Sequence, residues 1–235
     1  MSQPIVSSIQ GHQRSRMQVK TLTSLAMLTA IAYVVMLLSK LLPQVSGFLQ
    51  LDLKDTVICI GGFLFGPLSA AVIAIVVAVV EMFTYSDTGP IGCIMNVLAT
   101  ASFCCTAALI YKKCHTKKGA VLGLTCGIAA LTAVMLLWNY LITPLYMGIE
   151  RDVIVEMLVP IFLPFNLVKG GLNMALILLL YKPVVTALRQ AKLVPLSQTD
   201  KTEQNGLVIN PGFVLFSLTL LATFVLLALV LTGKL

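Results

Sequence analysis

"LPFNLVKGGLNMALILLLY", residues 163–181, carries one charge, Lys169, in a run that is otherwise uncharged. Its second half, "MALILLLY", is apolar throughout. As an α-helix rising ~1.5 Å per residue, such a run crosses most of a ~30 Å hydrocarbon layer. Similar runs recur on both sides of it. Of the 235 residues, 58% are hydrophobic and 11% charged, where a soluble domain averages about 45–50% and about 25%. Mean hydropathy is +0.98. These values identify an all-α integral membrane protein. Backbone groups in lipid must be satisfied within their own segment, and a β-barrel would alternate with period two, which these runs do not.

Seven apolar segments are expected. Helix 1 covers about 21–42, after a polar stretch, residues 1–20, with Arg14, Arg16 and Lys20. That run is too long for a signal-peptide core and lacks a small-residue cleavage site. The loop "PQVSGFLQLDLKD" follows, with alternation at Phe48–Leu53 that suggests an extended stretch. A short helix 2 at about 55–65 ends at the Gly66–Pro67 turn. Helices 3, 4 and 5 are expected at about 68–84, 90–111 and 119–141, and "ITPLYMGIERD" reads as a polar, turn-rich loop. Helix 6 starts near 156, contains Pro160 and Pro164, and ends near 188. A polar linker, 189–209, leads to a last apolar run within 210–235.

The net charge of +7 is read first as a topology signal. Lys and Arg gather at the N-terminus, between helices 4 and 5 (Lys112, Lys113, Lys117, Lys118) and after helix 6 (Lys182, Arg189, Lys192, Lys201). Cytoplasmic loops carry this excess, so the N-terminus is expected in the cytoplasm and the seventh helix to run outward. The polar residues then lie at the outer end: Asp52, Lys54, Asp55, Glu81, Asp87, Asn96, Asn139, Thr143, Asn166 and Lys169. This asymmetry predicts an outward-facing pocket and no continuous polar path across the membrane.

Lys169 is the most informative of these. A charge in a spanning helix costs at least a few kcal/mol on insertion scales, so it meets a cavity, a partner or the interface. Two readings stand: contact with a ligand, or snorkelling of the ammonium to the outer headgroups. Asn166 lies one helical step away and faces a similar direction. An amide and an ammonium together suit a flat heterocycle with mixed donors and acceptors. Trp138, Tyr140 and Tyr146 read either as an aromatic belt at the headgroups or as part of the site, and Asn139 among them needs a partner. Ala26 and Ala30 form a small-xxx-small pattern, as do Ala70, Ala74 and Ala78. Such patterns serve a partner helix or internal packing.

Other chemistries lack their residues. No GxxxxGK[ST] is present, so this chain holds no P-loop ATPase. The two histidines, His12 and His115, lie in a tail and a loop. Neither HExxH nor a Ser/His/Asp set occurs within the membrane segments, so an enzyme is not expected. The six cysteines form no CxxC pair and read as small apolar residues. No basic patch interleaved with aromatics suggests nucleic-acid binding.

"FLQLDLKDTVICIGGFLFGPLSA" (48–70), "NYLITPLYMG" (139–148) and "LPFNLVKGGLN" (163–173) together resemble the riboflavin-specific S component, RibU type, of energy-coupling factor (ECF) transporters. The resemblance spans about residues 20–190. It implies a six-helix substrate-binding subunit, here residues 21–188, in the plasma membrane of a prokaryote. Such subunits capture riboflavin as the transported ligand, with no cofactor. They deliver it with a membrane T component and two cytoplasmic ATPases. The resemblance further implies that Asn166 and Lys169 contact the polar edge of the flavin ring. Asn139, Thr143, Phe48, Leu49 and Asn96 would complete the pocket under the loop after helix 1, with Ala26 and Ala30 on the face that docks the scaffold. An S component for thiamine or a pteridine, and a stand-alone facilitator, are the rival readings. The chain departs from the pattern after residue 190, where the linker and the extra C-terminal transmembrane helix have no counterpart in the six-helix plan.

Overall fold

Proline and glycine set most of the helix boundaries. The computed structural model describes residues 3–85, 88–191 and 211–233, with side chains in the first helix from Val19 onward. Asp87 and most of the expected linker lie outside the described residues. Helix α1 is Gln3–Ser39, α2 Lys54–Phe65, α3 Pro67–Thr84, α4 Gly89–Lys113 and α5 Lys117–Leu141. Two short helices follow, α6 (Thr143–Met147) and α7 (Arg151–Met157). A π-helical turn, Leu158–Phe162, then leads into α8 (Leu163–Gln190), and α9 is Pro211–Leu231.

Gly66, at φ 96°, turns the chain between α2 and α3, a conformation open to glycine. Pro67 then occupies the first turn of α3, where its missing N–H costs nothing. Thr116 caps α5, its side chain accepting from the Gly119 N–H at 3.0 Å.

Six stretches are long and apolar enough to cross a membrane: Val19–Ser39, Pro67–Thr84, Gly89–Lys113, Lys117–Leu141, Arg151–Gln190 and Pro211–Leu231. The seventh apolar segment, α2, has only 12 residues, or roughly 18 Å at 1.5 Å per residue. It is buried inside the bundle, with Ile58, Cys59 and Ile60 at most 1% exposed. Without a hydrophobic force between helices in lipid, contact depends on close fit. Small residues provide it between α4 and α5. A Cβ at Gly123 would lie 2.8 Å from the Ala107 carbonyl oxygen, and one at Gly127 2.7 Å from that of Phe103.

Three local expectations are revised. The "ITPLYMGIERD" loop contains α6, which Pro144 starts and the left-handed Gly148 (φ 63°) ends. The following span begins at Arg151 rather than near 156, because Pro160 is absorbed into the π-helical turn, a form that tolerates a broken ladder. The alternation at Phe48–Leu53 does not pair as a strand. Its backbone closes a small loop instead, with Val45 and Leu49 exchanging two backbone hydrogen bonds of 2.7 and 3.0 Å.

The two alanine patterns part company. Ala70, Ala74 and Ala78 are at most 1% exposed and pack inside, whereas Ala26 and Ala30 are exposed on α1. All six cysteines are free thiols.

Candidate functional site

The polar residues collect at one end of the bundle, where α1, α3 and α5 finish and α2, α4 and α8 start. The loop 40–53 crosses this end. Ser46 (φ 53°) and Gly47 (φ 80°) turn it and carry the Phe48 ring to 6.0 Å from that of Phe162, edge to face.

On α8, Asn166, Lys169 and Asn173 are spaced by three and four residues and share a face. All three are buried, at 2%, 9% and 1% exposed. The Asn166 Nδ2 donates to the Phe162 carbonyl at 2.7 Å, which aims its Oδ1 away from the helix backbone. That oxygen and the Lys169 ammonium have no hydrogen-bond or ion-pair partner among the described residues. Asn173 is a cross-brace. Its Oδ1 accepts from the Thr56 hydroxyl at 2.8 Å, and its Nδ2 donates to the carbonyls of Asp52 (2.9 Å) and Lys169 (3.0 Å). It thus ties the Lys169 turn to the loop and to α2.

Around this brace lies a charged cluster. Lys54, 1% exposed, pairs with the Asp52 carboxylate and, at 3.1 Å, with Glu81 of α3. Lys40 reaches the other Glu81 oxygen at 3.1 Å, and Asn96 of α4 donates to Glu81 at 3.1 Å. Asp55 accepts from Thr100 at 2.7 Å and leaves its second oxygen buried without a hydrogen bond. Lys40 and Lys54 are thus paired directly with Glu81 and Asp52. Buried ions persist when paired in this way. Burial alone would raise the Asp52 carboxyl, but Lys54 beside it, with Lys169 further off, holds it below the ordinary carboxylate range.

At the end of α5, the Asn139 Nδ2 donates to the Met135 carbonyl at 2.7 Å, and its Oδ1 accepts from the Thr143 hydroxyl at 2.9 Å. α5 packs directly on the π-helical turn and on α8. Trp138 packs against the core, while Tyr140 and Tyr146 are 38% and 44% exposed.

Of the residues expected in the site, Asn166 and Lys169 share one face of α8 and Phe48 packs edge to face on Phe162, just before that helix. Leu49 packs on the apolar side of the same helix turn. Asn139 and Thr143 form a bonded pair on α5 and α6. Asn96 is engaged by Glu81 and belongs to the charged cluster. Sequence reasoning missed Asn173, although its position four residues after Lys169 was an available signal. It also missed Thr56 and Thr100, whose partners lie far away in the chain.

Comparison with known proteins agrees with this architecture. Residues 20–181 match the family of the ECF transporter substrate-specific component. The riboflavin transporter FmnP of Bacillus subtilis is 30% identical over 187 residues, covering 74% of this chain and 98% of its own. The riboflavin transporter RibU of Staphylococcus aureus is 31% identical over 187 residues, covering 77% and 98%. A solved S component of a bacterial ECF transporter superposes with a TM-score of 0.63 at 30% identity, covering 73% of this chain and 99% of its own. α9 begins at Pro211, beyond the matched family segment. The chain is a multi-pass membrane protein that belongs to the substrate-specific components of ECF transporters, a transport subunit and not an enzyme, with a further C-terminal helix added to the family bundle.

Proposed function

We propose that this chain captures riboflavin from outside the cell for ATP-driven import. One observation carries the reading: a buried ammonium and an amide oxygen share one face of α8, and neither has a hydrogen-bond or ion-pair partner among the described residues. The flavin ring is flat, with apolar faces and a uracil-like edge that alternates carbonyls and an N–H. Such a ligand suits an apolar recess with a few convergent polar groups. Lys169 donates to a ring carbonyl and the Asn166 Oδ1 accepts from the ring N–H. Asn139 and Thr143 line the recess from α5 and α6. Phe48 and Leu49 close it from the loop, and Asn96 supports its wall through Glu81. That the relatives from Bacillus subtilis and Staphylococcus aureus are named riboflavin transporters supports this ligand over thiamine or a pteridine.

Import needs energy that this chain cannot draw from a nucleotide, because it has no P-loop. A T component and two cytoplasmic ATPases supply it. The exposed Ala26 and Ala30 on α1 suit close approach of a scaffold helix. The basic residues between α4 and α5 support a cytoplasmic N-terminus in a prokaryotic plasma membrane. Residues 21–188 form the substrate-binding unit, 189–209 a linker and 210–235 an addition.

The test is the absorption spectrum of protein purified in detergent from riboflavin-fed cells. A yellow protein whose flavin is released on denaturation is the expected result. A colourless protein that also fails to quench added riboflavin overturns the ligand.

A further inference from the structure

α9 has no counterpart in the matched family segment, so its role has to be read from what it touches. It runs antiparallel to α8. At its start, Phe213 lies 5.9 Å beneath the Lys117 ammonium at the first turn of α5. Midway, the Phe224 ring rests directly on Gly171 of α8. A Cβ added there would meet three ring atoms at 2.2, 2.2 and 2.5 Å, so a side chain at 171 would push the ring aside.

Beyond Phe224, the helix reaches the loop that crosses the site. Ala228 is 8% exposed and belongs to one apolar cluster with Val45 and Leu51 of the loop and Phe165, Val168 and Leu172 of α8. Leu221, Phe224 and Leu231 of α9 pack against that cluster, as do Leu42, Leu49 and Leu53 of the loop. α8 therefore shows two neighbouring faces. Asn166, Lys169 and Asn173 line the polar one; Phe165, Val168 and Leu172 form the apolar one, where loop and α9 meet. The opposite face of α9 is exposed, with Leu215, Val225, Leu226 and Val230 between 43% and 64% exposed.

We propose that α9 is a built-in clamp for the loop 42–53, with Phe224 and Ala228 as positioning residues that keep Phe48 and Leu49 seated over the site. The clamp slows escape of a captured ligand without touching it. This rests on the riboflavin reading of the site for its ligand and on the packing of α9 for its mechanism. Apolar loop residues at the rim of a membrane bundle are held by fit, so loss of the Phe224–Gly171 contact frees them.

Two measurements on the full chain test this. Hydrogen exchange of loop 42–53, followed without ligand, reads the clamp itself. The dissociation rate of riboflavin, followed by recovery of flavin fluorescence, reads its consequence. Phe224→Ala is expected to speed loop exchange and to raise the dissociation rate about tenfold, the equivalent of one contact of modest strength, with association within about twofold of wild type. Phe224→Leu restores most of both effects. Gly171→Ala displaces the ring from the other side and reproduces them, and combining it with Phe224→Ala adds little more, as coupled sites do. Leu226→Ala, on the lipid face, changes neither. Unchanged loop exchange in folded Phe224→Ala and Gly171→Ala overturns the clamp, and faster exchange with an unchanged dissociation rate overturns its role in retention. If wild type binds no riboflavin while loop exchange still rises in the variants, the ligand reading fails and the clamp stands.

Discussion

Replacing Lys169 by methionine removes the ammonium and keeps most of the stem, so it separates a lost hydrogen-bond donor from a lost volume. The side chain is 9% exposed, and its ammonium has no hydrogen-bond or ion-pair partner among the described residues. A hydrogen bond from a charged donor to a ligand carbonyl is worth about 1.5–3 kcal/mol. At ~1.4 kcal/mol per factor of ten, Lys169→Met is expected to weaken riboflavin binding roughly ten- to hundredfold. Part of any loss comes from the protein. Lys169 acts electrostatically on Asp52 and Asp55; Asp52 keeps Lys54 as a direct partner, whereas among the described residues the Asp55 carboxylate keeps one hydrogen bond, from Thr100. The melting temperature of the ligand-free variant therefore accompanies the Kd, both measured in detergent, the latter from quenching of flavin fluorescence. Asn166→Ala, which removes the acceptor beside it, is expected to act in the same direction. If both variants fold and keep a Kd within about twofold of wild type, the face is not the ligand edge. Lys169 then reverts to a lysine whose ammonium reaches for the outer headgroups.

Glu81 holds both Lys40 and Lys54 at 3.1 Å, so Glu81→Leu takes the carboxylate from Lys40 and leaves Lys54 with Asp52 alone. It should cost about 3 kcal/mol or more of stability, read as a clear fall in melting temperature, and an unchanged melting temperature would show the cluster to be idle. Asn173→Ala removes three side-chain hydrogen bonds, two of which join α8 to α2 and the loop. At about 1 kcal/mol each, it should lower stability by about 2–4 kcal/mol and weaken riboflavin binding with Lys169 still present; wild-type affinity in a folded Asn173→Ala would remove its positioning role. Replacing Ala26 and Ala30 by leucine should leave binding intact and cut uptake in vesicles that contain the T component and ATPases. Survival of both activities would move the docking face off α1.

What was legible in the sequence is what repeats locally. Apolar runs announced the spans, Gly66–Pro67 announced the turn between α2 and α3, and the three-residue spacing of Asn166 and Lys169 put both on one face. Long-range pairings were not legible. Thr56 and Asn173 are 117 residues apart, and Lys54 and Glu81 are 27 apart; nothing in either neighbourhood names its partner. The charged residues at that end of the bundle were visible as an accumulation, but the order in which Glu81 bridges Lys40, Lys54 and Asn96 exists only once the end of α1 and helices α2, α3 and α4 are side by side. The alanine patterns make the point most sharply. Ala26 with Ala30 and Ala70 with Ala74 have the same spacing and similar apolar neighbours, yet the first pair is exposed and the second buried. Spacing states that a helix can be approached closely; what approaches it is decided by which helices the rest of the chain has already brought there. α8 shows the same division within one helix. Its Asn166–Lys169–Asn173 face announces itself through polarity in an apolar run. The adjoining Phe165–Val168–Leu172 face is chemically indistinguishable from lipid-facing surface until the loop and α9 are found against it. Gly171 on that side is no exception, because the space that a Cβ there would need is taken by Phe224, 53 residues away on α9.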